Sequence, residues 1–140
     1  MKTRFSSLVK LKKSTMRKSE QLVHKANTAL TNASLELELS YESLKDVHTP
    51  TSGTIKDMLA SRVLFESQRG VIQHNRNWVE FANNQLLQAK QQLKLDMIEY
   101  EKFNYLELQE IKKEIKKKNL KEAKELDEVA LITFKGKDKL

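Results

Sequence analysis

Residues 58–100 read, in blocks of seven, MLASRVL FESQRGV IQHNRNW VEFANNQ LLQAKQQ LKLDMIE Y. Each block opens on an apolar side chain: Met58, Phe65, Ile72, Val79, Leu86, Leu93 and finally Tyr100. Ala82, Ala89 and Met97 fill the alternate position, and Leu108, Ile111 and Ile115 extend the stripe. An apolar residue at every seventh position keeps one face of an α-helix against a partner helix, which is the repeat of a coiled coil. Repetition this regular rarely arises by chance.

The partner lies upstream. The single Pro and the first Gly sit together just before this stretch, in Val47-His-Thr-Pro-Thr-Ser-Gly-Thr54. The residue before a Pro avoids the right-handed helical region, so a first helix ends near Val47 or His48. Thr54-Ile-Lys-Asp57 has the form of a capping box, with Thr54 as N-cap and Asp57 at the third helical position. A helix restarts there. The connection, about six residues, makes the two helices antiparallel neighbours. In the first helix the stripe reads Leu22, Ala26, Ala29, Ala33, Leu37, Tyr41, Leu44. Its mean spacing of about 3.7 residues implies weak supercoiling. Phe5, Leu8, Leu11 and Met16 continue it less regularly, and the alanines allow close approach of the partner.

Three Gly and one Pro among 140 residues are roughly 3% of the chain, against about 12% ordinarily. Sheet proteins need such residues at many turns, so all-β and doubly wound folds are excluded. Charged residues make up 32%, hydrophobic ones 39% and aromatic ones 6%, enough for a seam but lean for a thick core. The sequence therefore predicts an all-α fold: one long two-helix antiparallel coiled-coil hairpin, the second helix longer than the first. Helix one spans about 3–47, the turn 48–54 and helix two about 55–134, with 135–140 as a flexible tail. Gly70 interrupts helix two. It is either a tolerated helix glycine costing about 1 kcal/mol or a bend or close contact.

The lengths do not match. Helix one is about 68 Å long and helix two about 118 Å, so helix one covers helix two only to about residue 100. Leu108, Ile111, Ile115, Leu126 and Val129 are left without an intramolecular partner. An amphipathic overhang of this kind frays or binds something else.

The chain has no Cys, which removes disulfides, thiolate metal sites and thiol catalysis. The longest apolar run, Val129-Ala-Leu-Ile132, falls far short of the ~20 residues of a membrane span. Polar residues break every apolar stretch of the N-terminus, so no secretory signal is expected. His24, His48 and His74 lie too far apart for helical metal ligands. The carboxylates alternate with Lys, as Glu110 and Glu114 do around Lys113, in the manner of solvated coiled-coil flanks. No phosphate loop or nucleophile elbow is present, and a two-helix hairpin offers little concave, water-excluded space. Neither catalysis nor a cofactor is expected.

The net charge is +7. Residues 1–25 hold eight Lys or Arg and one acid, while the remainder balances. A second basic cluster is Lys112-Lys113-Glu114-Ile115-Lys116-Lys117-Lys118. Antiparallel geometry brings both toward the end that holds the termini. The clusters suit an acidic protein partner, a membrane surface met by Phe5, Leu8, Val9 and Leu11, or nucleic acid. Against the last, no aromatic residue interleaves the second cluster. Arg62, Arg69 and Arg76 recur at seven, either as charges lying over the seam or as a cationic ridge facing a partner. The exposed seam also has the form that pairs two hairpins into a homo-oligomer.

Three stretches resemble one family, the FliJ proteins of the bacterial flagellar type III export apparatus. Phe5-Ser-Ser-Leu8-Val-Lys-Leu11 is similar to the family's start. Ser52-Gly-Thr-Ile55 precedes Phe65 at a similar spacing. Glu122-Ala-Lys124-Glu-Leu126-Asp127-Glu128-Val-Ala130, followed by Phe134, is similar to its C-terminal signature. The resemblance spans essentially the whole chain. It implies a cytoplasmic stalk at the inner-membrane base of the export apparatus, needed for motility. Its terminus-bearing end inserts in the hexameric export ATPase FliI and promotes ring assembly and activity. It also touches the export gate FlhA and escorts export chaperones. Expected ring contacts are Lys10, Lys12, Lys13, Leu108, Ile111, Ile115, Lys116 and Lys117. Expected gate contacts are Tyr41, Phe65 and Ile72. Outside the family, the alternative is a basic coiled-coil adaptor for nucleic acid or an acidic protein.

Overall fold

A computed structural model describes residues 2–47 and 52–138. It contains two α-helices packed against each other, α1 (Ser6–Lys45, 40 residues) and α2 (Ile55–Asp138, 84 residues). The fold is all-α, an antiparallel two-helix coiled coil whose second helix is the longer.

The helix ends follow from capping. The Thr3 hydroxyl accepts from the Phe5 amide at 3.2 Å, and Ser6 Oγ accepts from the Thr3 amide at 2.8 Å. α1 closes on tight i→i+3 turns, Asp46 N to Ser43 O and Val47 N to Leu44 O, both 3.2 Å. It ends slightly before the expected Val47 or His48. Residues 48–51 of the expected turn lie outside the described residues. The capping box at the start of α2 is formed. The Thr54 amide donates to Asp57 Oδ2 at 3.2 Å, and the Asp57 amide donates to Thr54 Oγ1 at 3.4 Å. Gly53 sits ahead of this box at φ 148°, and a Cβ there would stand 2.9 Å from Asp57 Oδ2. Both conformation and space demand glycine. At the other end α2 continues through Asp138, beyond the expected start of a tail at 135. No Pro intervenes there to stop it.

The chain divides into two compact units. One is Met16–Asp96; the other joins Met1–Thr15 to Met97–Leu140. In the first unit the seam of α1 is Met16, Ser19, Val23, Ala26, Leu30, Ala33, Leu37, Ser40 and Leu44, in strict steps of three and four. Each is buried or half-buried. Ala26, Ala33, Leu37 and Leu44 of the stripe read from the sequence lie on this seam, and that stripe's other three members do not. Leu22 is 56% exposed, and Ala29 and Tyr41 are also exposed. The true seam alternates a large apolar residue with Ser or Ala, so its small members carry little hydrophobic signal. On α2 the facing positions are Ile72, Asn75, Val79, Ala82, Leu86, Ala89, Leu93 and Asp96. Met58 and Phe65 are exposed, and Asp96, not Met97, holds the alternate position.

Two polar pairs lock the register. Ser40 Oγ meets Asn75 Nδ2, and Ser19 Oγ donates to Asp96 Oδ2. Asn75 also donates to the Glu36 carbonyl at 3.4 Å. The two pairs stand three heptads apart along each helix. The intervening layers place Ala33 level with Ala82 and Ala26 level with Ala89. A buried polar pair at a seam position favours the one alignment that satisfies it.

This register also displaces the helices. Asn75 lies twenty residues into α2, whereas Ser40 lies five residues before the end of α1. The first turns of α2 therefore extend about 20 Å past the last residues of α1. Gly70 is on the exposed side of α2, and a Cβ added to it would meet nothing within 4 Å. The close-contact reading of that glycine falls. Gly70→Ala is expected to stabilise the protein by about 0.5–1 kcal/mol, read as a higher urea midpoint at unchanged slope.

Candidate interaction surfaces

Three surfaces carry the groups that the seam does not use.

The first lies in the unit that holds the termini. Ser6 Oγ donates to Glu107 Oε1 at 2.9 Å, and Arg4 approaches Glu110 at 3.9 Å. The paired region of α2 thus runs to about Glu110, further than residue 100. α2 meets α1 late because its first turns run ahead of it. Lys12, an expected ring contact, turns onto α2. Its Nζ lies 3.6 Å from Glu99 and 5.5 Å from the Phe103 ring centroid. Lys10 and Lys13 face solvent. Ile111 is half-buried, while Leu108 and Ile115 are about half exposed.

The second surface is α2 beyond Ile111. Every residue from Lys112 to Gly136 is exposed. Ile115, Leu126, Val129 and Ile132 form its apolar stripe, with Ile132 at 71% exposure. Lys116 flanks the stripe and Lys117 lies on the opposite face, both exposed. Opposite charges recur along it at i,i+4 in the sequence, a spacing that favours an isolated helix: Glu114 with Lys118, Lys118 with Glu122, Lys121 with Glu125, Lys124 with Glu128. Each such pair stabilises a helix by roughly 0.2–0.5 kcal/mol.

The third surface is the start of α2. Ile55, Met58, Leu59, Arg62 and Phe65 line an open groove. The extension of α2 past α1 leaves all five exposed. Beside it runs a more polar groove lined by Tyr41, Leu44, Glu66, Arg69, Gln73 and Arg76. Arg76 Nε donates to the Tyr41 hydroxyl at 2.8 Å, and its guanidinium stands 5.6 Å from the ring centroid. Arg62 pairs within α2 with Glu66 at 4.0 Å. The three-Arg series is therefore not one ridge of equivalent charges. Of the expected gate contacts, Phe65 and Tyr41 are exposed, but Ile72 is 5% exposed and belongs to the seam.

Sequence reading missed Leu64, Val71 and Trp78, which also recur at seven and are exposed. The signal was present, one position before Phe65, Ile72 and Val79 of the heptad series, but that stronger stripe beside it masked it. Among the described residues no helix is long and apolar enough to cross a membrane.

Two paired helices, with exposed apolar and charged groups along their outer faces and beyond the paired region, define a coiled-coil protein. The family described as Flagellar FliJ protein matches residues 1–139, and the chain belongs to it, which makes it a component of the flagellar export apparatus. No curated protein matches the chain, and neither does any solved structure.

Proposed function

We propose that the protein is the stalk of the export ATPase. In this reading the unpaired C-terminal part of α2 enters the FliI hexamer and promotes its assembly and activity. The observation that carries it is the exposed stripe Ile115, Leu126, Val129 and Ile132 among lysines, a helix face with no partner in its own chain. An enclosing ring supplies apolar cover for the stripe and acidic complement for Lys10, Lys13, Lys116 and Lys117. The gate FlhA is assigned to the groove around Phe65 and the adjoining Tyr41 face. Export chaperones are assigned to the remaining exposed apolar residues of that unit. The protein acts by contact rather than catalysis, and it is held at the inner-membrane base through its partners.

The test replaces Ile115, Leu126 and Val129 by Ser. Ile111 is left alone because it is half-buried. The expected result is loss of ATPase stimulation, at least tenfold, with helicity retained in circular dichroism. Full stimulation by the triple variant overturns the stalk reading. Phe65→Ala is expected to weaken capture of FlhA without lowering the melting midpoint, since Phe65 lies outside the seam.

A further inference from the structure

The exposed part of α2 carries a charge pattern as well as an apolar stripe. Residues 112–118 contain five Lys and one Glu. Residues 122–128 contain four acids and one Lys. The stripe has two apolar ends, Ile111 with Ile115 and Leu126 with Val129, separated by Lys118 and Glu122 on the same face. Reversing the direction of the helix about residue 120 therefore brings Glu128, Asp127 and Glu122 level with Lys112, Lys113 and Lys118, sets the net-basic block along the net-acidic one and exchanges the apolar ends, while Lys116 falls level with Lys124 and Lys117 with Ala123.

We propose that this segment pairs with the same segment of a second copy, antiparallel, about a two-fold axis near residue 120. In that arrangement Lys118 of one copy lies level with Glu122 of the other. Val129 faces Ile111 and Leu126 lies beside Ile115. The block 112–118 runs along 122–128. A two-fold axis makes every such contact twice. A parallel arrangement sets lysine block against lysine block, which charge repulsion disfavours. The inference is independent of the ATPase reading, because it uses only the self-complementarity of the segment. The stripe is the same one, so self-pairing and entry into a ring exclude each other.

Sedimentation of the full chain tests it. At about 100 µM protein and about 0.05 M salt, the expected mass is twice 16.3 kDa. Raising salt to about 1 M is expected to weaken association at least tenfold. Two charge-reversed proteins sharpen the test: Lys112, Lys113 and Lys118→Glu in one, Glu122, Asp127 and Glu128→Lys in the other. Each alone is expected to be monomeric and helical, and their equimolar mixture to form a one-to-one dimer. Geometry is read by oxidation, since the chain has no native cysteine. Asn119→Cys, beside the axis, is expected to cross-link, and Lys112→Cys is not. A monomeric wild type at low salt overturns the proposal, as does a mixture that stays monomeric or a cross-link through Lys112→Cys. A wild type that stays monomeric but shifts a duplex DNA probe, with loss of the shift in the lysine-reversed protein, assigns the basic block to nucleic acid instead.

Discussion

Leu86→Ala is expected to lower stability by about 2–5 kcal/mol. Leu86 is 6% exposed and among the largest side chains that the seam covers. The lost methyl groups leave a gap between two helices that share only one apolar stripe, so nothing behind it relaxes into the space. A domain of this size typically has about 5–15 kcal/mol in all, so a large share of the total rests on one leucine. Leu87→Ala is the control. Leu87 is 55% exposed, and its truncation is expected to stay within about 0.5 kcal/mol. Urea unfolding followed by circular dichroism measures both. Equal losses at the two positions would place the seam elsewhere.

The second large effect runs the other way, by overfilling. Ala33 is completely buried and stands level with Ala82, itself 4% exposed. Two alanines face to face let the helix backbones approach closely. Ala33→Phe is expected to wedge them apart at a cost of about 1–3 kcal/mol or more. The Ser40–Asn75 pair is one heptad away and is strained by the same separation. Ala29→Phe, at an exposed position, is expected to change the midpoint little. A stripe through Ala29, as the sequence alone suggests, predicts comparable losses at both sites, so the pair of variants distinguishes the two seams.

Much of the fold was legible. The series from Ile72 to Tyr100 announces itself because its members are large and apolar, and the Thr54–Asp57 box because its chemistry is local. The α1 seam was partly legible: Ala26, Ala33, Leu37 and Leu44 stand on the stripe that the sequence shows. Its other alternate positions are Lys12, Ser19 and Ser40, polar residues that score as surface. Their burial is decided by what faces them on α2, Phe103, Asp96 and Asn75 among them. Leu22 and Tyr41, one position off the seam, looked better. The displaced register was hidden too, because it is set by polar pairs far apart in sequence and not by the turn. That displacement creates the groove at Ile55–Phe65, which no local pattern marks as exposed. The overhang beyond Ile111 was visible from helix lengths alone, though its starting point was not.

The spacing of the two polar pairs also constrains how such a chain can change length. Deleting seven residues of α1 between Ser19 and Ser40 leaves only one of the pairs able to form at a time. Deleting a heptad of α2 between Asn75 and Asp96 as well restores both. Length variants of this protein are thus expected to survive as matched insertions or deletions of whole heptads, one in each helix, and a gene that has lost only one is expected to encode a hairpin with a misaligned seam.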